Sequence, residues 1–275
     1  MNLLGIDFED WYHPEFVQKY ISGKKCHPEV INGIDMILEL LRKNDTHATF
    51  FMVGDLLEFK PELFDDILEN GHEIAFHTMK HTRLDSENFK EIFENEIKKF
   101  DNLTHGKSKG FRAPSFSLNE KSSWLIDVLE KNDYVYDSSV VPAKTNLYGI
   151  PNAEKNPYKI SSKSLEKNSS DGKIIEFPIM VTKLLGKTIP TGGGFYLRTL
   201  PFKIIKNSFQ QYEKQKNPGV FYIHSWELAP KYMPKIKMSH KDNFATYHNL
   251  SKAYGKMNEL LKLYEFTSFE RYLKN

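Results

Sequence analysis

The chain opens on a short apolar run, residues 2–7, that ends in acids. Residues 30–42 (VINGIDMILELLR) repeat apolar side chains at helical spacing, which predicts an amphipathic helix. Residues 47–53 (HATFFMV) are β-branched and aromatic, which predicts a strand, and Gly54 stops it. A helix over 62–69 ends at Asn70-Gly71, a common C-terminal signal. A short strand over 73–77 follows. Ser86 is placed to cap a long helix that reaches about Leu103. Then come a strand over 110–114 closed by Ala113-Pro114, a helix over 119–131 and a strand over 134–137. Strand and helix taking turns predicts a parallel sheet with helices outside it.

The rhythm then breaks. Residues 141–172 are rich in Asn, Ser, Lys and Pro and read as a long irregular insertion. Regular elements resume with 173–181 (KIIEFPIMV), followed by Gly192-Gly193-Gly194, a helix over 202–214 and an apolar strand over 220–226 (VFYIHSW). One long helix over 243–263 and a closing segment over 265–273 complete the pattern. No internal repeat is visible. About seven strand candidates with no evident boundary predict an α/β fold: a single distorted (β/α) barrel, one catalytic domain over residues 1–275 carrying the 141–172 insertion.

Composition narrows the partners more than the fold. The 38 basic and 36 acidic residues leave a net charge of +2, without the clustered basic run of a nucleic-acid binder. The single cysteine, Cys26, excludes an internal disulfide and suits a reducing compartment. The opening MNLLGIDFEDWYH lacks the basic and then apolar regions of a signal peptide, which predicts a cytoplasmic protein. No run approaches the roughly 18 apolar residues of a membrane span, so any membrane contact would be peripheral. The oligomeric state is not legible.

In parallel α/β folds the loops after the strands build the site. The strand ends carry Asp7, Glu9 and Asp10; His77 and His81; Arg112; Asp137; and His224. His77-Thr78-Met79-Lys80-His81 spaces two imidazoles four apart, which on a helical turn would put both on one face. Two imidazoles and a carboxylate suit a catalytic zinc site, although an isolated HxxxH also fits two solvent-facing histidines. Asp7 and Glu9 would share one face if the strand persists. One could ligate a metal while the other takes a proton from water. Arg112 inside an apolar strand needs a partner, and Asp7 is the natural one. His224 in an apolar strand would ordinarily be a satisfied core residue.

Taken together, GIDFED, GHEIAFHTMKH, FRAPSF, YDSS and YIHSWE, with ATFFMVG between the first two, resemble the motifs of the NodB-type polysaccharide deacetylases, carbohydrate esterase family 4. The resemblance covers roughly residues 2–140 and 173–228. GGGFYLR (192–198) and the acidic opening resemble a subgroup linked to bacterial surface-polysaccharide and lipopolysaccharide assembly. This resemblance implies a divalent ion, zinc, held by His77, His81 and one carboxylate. The family's paired aspartates are replaced by Asp7-Phe8-Glu9-Asp10, so either Glu9 or Asp10 would be that carboxylate. It further implies Asp7 as base held by Arg112, His224 as acid to the leaving amine, and a Ser115 N–H at the oxyanion. The implied reaction removes an N-acyl group, acetyl, from an amino sugar that is nucleotide-linked, lipid-linked or part of an oligosaccharide. Hydrolysis of another C–N bond (a formamide on a lipid-linked sugar, or a cyclic imide) and a silent carbohydrate-binding member are the alternatives. Trp226, Trp11, Tyr12 and Phe195 are candidates to stack on a sugar ring.

Overall fold

The computed structural model describes all 275 residues. Its strands are β1 (Asn2–Phe8), β2 (Thr49–Met52), β3 (Glu73–Phe76), β4 (Gly110–Phe111), β5 (Tyr136–Asp137), β6 (Tyr158–Ile160), β7 (Ile174–Glu176), β8 (Val181–Leu184), β9 (Lys187–Pro190), β10 (Val220–His224) and β11 (Phe266–Thr267). Seven run parallel in the order β10-β1-β2-β3-β4-β5-β7. Strand β6 adds antiparallel to β7, and β11 pairs with the start of β1. No regular strand closes the gap between β7 and β10. Met180 N–H instead donates to the Val220 carbonyl (3.0 Å) and Tyr222 N–H to that of Gly192 (2.8 Å). The result is a half-barrel sheet wrapped by helices.

Side-chain alternation decides what faces the barrel interior. Leu4, Ile6 and Phe8 of β1 point outward into the 51-residue cluster beneath the helices. Leu3 points inward with Phe51, Tyr136, Phe177, Tyr222 and Phe269. Gly5 and Asp7 share that inward parity. All seven residues of β1 are buried, because helices cover one face and the barrel interior the other. That double burial is why the strands read as unbroken apolar runs.

Several boundaries differ from expectation. The insertion at 141–172 contains β6 and buries Val141, Ala143, Ala153 and Leu165. The segment 173–181 is not one element: it splits between β7 and the start of a separate hairpin, β8–β9. Asn88, in the left-handed region, precedes the helix Phe89–Leu103, while Ser86 only offers its carbonyl to Phe89 N–H. The last long helix is two, His240–Tyr247 and Ala253–Leu263, because Asn249 takes a left-handed φ of 50° between them. Helices Glu15–Ile21 and Gly54–Phe59 had no clear sequence signal.

Candidate active site

The carboxyl ends of β1, β3, β4 and β10 meet at one cavity of about 640 Å³. Asp7, Glu9, His77, His81 and His224 all line it. Register explains the convergence: Asp7 lies beside His224 across the β1–β10 pair.

Glu9, His77 and His81 bring one ligand atom each within 4.8 Å of one another, and all three are buried. His77 Nδ1 lies 2.6 Å from the Arg112 carbonyl. A carbonyl only accepts, so Nδ1 carries the proton and Nε2 is left with a free lone pair. Burial pushes the His77 pKa down to about 4, so the ring is neutral at physiological pH, the form a metal takes. Glu9 Oε1 accepts the Trp226 indole N–H at 2.9 Å. Glu9 Oε2 lies 2.8 Å from His81 Nε2 but is not aligned for a hydrogen bond and has no donor. Burial raises the Glu9 carboxyl, yet the neighbouring imidazoles outweigh it and hold the group below the ordinary carboxylate range. An orphaned carboxylate oxygen beside two imidazole nitrogens fits a divalent cation of the zinc type. The backbone of Glu9 is fixed by the Ser225 hydroxyl, which accepts its N–H at 3.0 Å and donates to its carbonyl.

Two expectations need correction. The segment 77–81 is not a helical turn. Thr78 (φ 60°) and His81 (φ 56°) are left-handed, and the loop folds back to bring the second ring beside the first, 5.0 Å between centroids. Such backbone persists only where its surroundings hold it. Asp10 does not reach the cluster. Its carboxylate accepts the N–H groups of Trp11 (2.9 Å), Glu29 (2.9 Å) and Ile31 (3.1 Å), tying the loop before residue 34 to the end of β1. With both oxygens so engaged, Asp10 is a structural acid and Glu9 is the carboxylate beside the imidazoles.

Asp7 is bound to Arg112 Nη1 at 2.5 Å. Arg112 is fully buried, donates Nε to the Ser138 carbonyl (3.0 Å) and Nη2 to the Ser138 hydroxyl (2.9 Å), and stacks on Phe51 at 3.8 Å. A Cβ on Gly5 would lie 2.5 Å from Nη1, so the guanidinium occupies space that only glycine leaves free. Deleting either member of such a buried pair strands a charge, at a cost of roughly 3–5 kcal/mol.

His224 Nδ1 lies 2.8 Å from Glu227 Oε2, and His224 Nε2 lies 3.7 Å from Glu9 Oε1. Burial lowers the imidazole pKa, but the Glu227 hydrogen bond and charge, with Glu9 and Asp7, carry it up to about 9. A cation on Glu9 would cancel that residue's share, while the share from Glu227 would remain. Burial raises the Glu227 carboxyl, but Arg198, whose Nε sits 2.6 Å away, and the hydrogen bonds and charge of His224 together outweigh it and lower it to about 2. A Cβ on Gly194 would fall 1.9 Å from Glu227 Oε2, so the glycine run lets this carboxylate in.

Arg198, Glu227 and Ser225 were not singled out in the sequence. The available signals were the Arg of GGGFYLR and a Glu three residues after His224, where a helical turn brings it back. Trp226, Phe195 and Ser115 line the cavity, whereas Trp11 and Tyr12 do not. The Trp11 indole instead donates to the His27 carbonyl at 3.0 Å. Asp137 lies outside the cavity. It is buried against Glu176, with a hydrogen bond from the Ser139 hydroxyl (2.5 Å), and burial raises both carboxyls, Asp137 to about 6.

The polysaccharide deacetylase family profile matches residues 32–136, and that of a domain of unknown function (DUF3473) matches residues 138–274. The chain is 38% identical over 87 residues to a peptidoglycan-N-acetylglucosamine deacetylase of Bacillus cereus, covering 30% of this chain and 40% of that protein. It is 40% identical over 59 residues to a chitooligosaccharide deacetylase of Bradyrhizobium, covering 22% of this chain and 24% of that protein. The chain thus spans well under half the length of these curated relatives. Among solved structures, a polysaccharide deacetylase candidate from Mycobacterium smegmatis superposes with a TM-score of 0.62 at 13% identity, covering 99% of this chain and 89% of that one. PuuE allantoinase gives 0.53 at 15% identity, covering 97% and 86%. These two likenesses are of fold, and the fold is the NodB-like (β/α) barrel. With the deacetylase profile on residues 32–136 and the motif residues gathered at one strand end, the chain resembles the NodB-type polysaccharide deacetylases, carbohydrate esterase family 4.

Proposed function

We propose that this protein is a metal-dependent N-deacetylase of amino sugars. One observation carries the reading: a Glu9–His77–His81 cluster flanked in the same cavity by an arginine-bound carboxylate and a glutamate-bound imidazole. Glu9, His77 and His81 would hold the ion, and zinc suits their chemistry. When bound, it would acidify a water and polarise the acyl carbonyl.

The chain's own residues supply the proton transfers. Asp7 takes a proton from the attacking water, and Arg112 holds the carboxylate toward the cavity as it does so. His224 gives a proton to the amide nitrogen as the C–N bond breaks, releasing acetate and a free amine. Nitrogen is a poor leaving group until protonated, so an imidazole that Glu227 favours in its charged form suits the step. Trp226, Phe195 and Tyr196 give the cavity aromatic surface for a sugar ring. The substrate we propose is an N-acetylated sugar in an oligosaccharide or in a nucleotide- or lipid-linked precursor of a surface polysaccharide. Similarity of residues 192–198 to that subgroup supports the second choice.

The test is acetate and formate release by zinc-loaded protein over N-acyl oligosaccharides, nucleotide sugars and lipid-linked sugars, with the Asp7→Asn variant alongside. Acetate release that falls with Asp7→Asn while metal content stays constant supports the reading. Formate release alone would point to a deformylase, and no release from any substrate would leave a binding protein.

A further inference from the structure

The hairpin β8–β9 stands apart from the barrel sheet as its own two-stranded ribbon. Its root is tied down: the Tyr212 hydroxyl accepts Val181 N–H at 3.2 Å, and Thr182 bonds Gln211 at 3.0 Å. Thr188, Ile189 and Pro190 of its return strand line the active-site cavity. Residues 183–187 (KLLGK) are all exposed, so the tip projects into solvent beside the cavity.

That tip is built against ordinary surface rules. Leu185 and Gly186 both have positive φ, 49° and 79°, the turn geometry that favours Asn-Gly. A leucine there is strained, and this one is 95% exposed. Leu184 beside it is 38% exposed. Two further exposed apolar side chains, Leu147 (45%) and Phe244 (49%), line the cavity itself. Four of the nine large hydrophobics left exposed on the whole molecule therefore belong to the cavity rim or to the hairpin rooted in it. Exposed apolar residues gathered in this way mark a contact surface.

Charge identifies the partner. The ten hairpin residues hold two lysines and no acid. Lys183 and Lys187 bracket the leucines, and Lys144 and Lys241 line the cavity beside Leu147 and Phe244. None of these four lysines forms an ion pair within the protein, although twelve Lys or Arg pairs occur elsewhere. Apolar tips between unpaired cations match an anionic lipid surface, whose acyl region takes the leucines while its headgroups meet the amines. No helix is long and apolar enough to cross a membrane, so the contact would be peripheral.

We propose that the hairpin tip and the cavity rim dock onto an anionic lipid bilayer, with Leu184 and Leu185 inserted and Lys183 and Lys187 at the headgroups. The docking stands on the hairpin and rim alone. Its consequence for the substrate, a sugar carried on a lipid and presented at the membrane surface, rests on the deacetylase reading.

The experiment is sedimentation of the full chain with vesicles of phosphatidylcholine alone and of phosphatidylcholine mixed with phosphatidylglycerol. The protein is expected to partition onto the mixed vesicles and to stay with the supernatant over the neutral ones. Leu185→Asn keeps a residue that favours the left-handed turn, so it should melt no lower than wild type while losing at least about tenfold in partition. Lys183→Gln and Lys187→Gln should each lose about fivefold. Wild type that ignores both vesicles, or Leu185→Asn that binds as well as wild type, overturns the proposal. So does sedimentation velocity in which Leu185→Asn dissociates a dimer and vesicles have no effect, because the hairpin then belongs to a second copy. Hydrolysis of a soluble acetate ester, followed in parallel, separates the two readings. Partition without hydrolysis counts against the deacetylase alone, and hydrolysis without partition against the docking alone.

Discussion

Two buried glutamates sit at opposite ends of the same barrel, and their surroundings differ in one respect. Glu73, at the start of β3, accepts from the Thr49 hydroxyl, from the Tyr136 hydroxyl at 2.6 Å and from Glu270 N–H at 2.9 Å. Every partner is a neutral donor fixed by the fold, and burial still raises its pKa to about 6. Glu9, just past the end of β1, has one indole donor, imidazoles around it and one oxygen with nothing to accept. Both are buried, so burial alone does not mark function. What does is a lone pair left facing basic nitrogens, in a cavity open to a substrate.

The sharpest way to break this contrast is to neutralise each carboxylate in turn. Glu9→Gln is expected to lose the divalent ion and bring acetate release to background, with little change in melting temperature. Glu73→Gln is expected to keep the ion and lose about 1–3 kcal/mol of stability, since a carbonyl and an amide replace two acceptors. Metal content measured beside thermal melts decides it, and a Glu73→Gln protein stripped of metal would erase the distinction.

The second test moves to the acid. His224→Ala should cut amide turnover by about 10²–10⁴-fold, and less on an ester with a good leaving group. His224 must be protonated to act, so activity should decline as pH rises through its pKa, which lies below about 9 once an ion cancels the share from Glu9. Glu227→Gln removes the main upward influence, so the alkaline limb of kcat/KM should shift to lower pH. A limb that does not move would take Glu227 out of the mechanism.

Asp10→Asn sharpens the comparison from next door. It weakens three backbone hydrogen bonds, so a loss of about 1–3 kcal/mol is expected with metal content unchanged. Metal loss in this variant would return Asp10 to the ligand set.

The smallest effect is expected at Asp137 and Glu176, whose folded-state pKa values are both raised. The folded protein therefore holds protons the unfolded chain releases. Stability from this pair is complete below the unfolded carboxylate range and declines as pH rises, for Asp137 through about 6. Glu176→Gln offers an amide that needs no shared proton. It should flatten the fall in melting temperature between about pH 5 and pH 8. Parallel wild-type and variant curves would count against a shared proton.

The barrel was legible because double burial writes each central strand as an apolar run, and polar residues at the ends of such runs have few places to go except the mouth. Asp7, Arg112, His77, His81 and His224 were readable for that reason. The choice between Glu9 and Asp10 was not, because it depends on N–H groups of residues 29 and 31, supplied by a different loop. The fold of the HxxxH segment was hidden because Thr78 and His81 adopt left-handed backbone that their residue types do not announce. The hairpin β8–β9 was missed because KLLGK carries a leucine where the usual signal is asparagine. Arg198 and Glu227 pair over 29 residues of sequence, and neither makes sense without the other.

The pairing of β1 between β2 and β10 has a consequence for how this chain is made. Glu9 and Trp226, which touch, are 217 residues apart. A ribosome delivers β1 long before β10, so one border of a largely apolar, fully buried strand waits without its neighbour until residue 220 is made. Contacts of such long sequence separation close slowly. Nascent chains stalled before residue 220 should therefore be the form that chaperones hold and that clumps when they are absent.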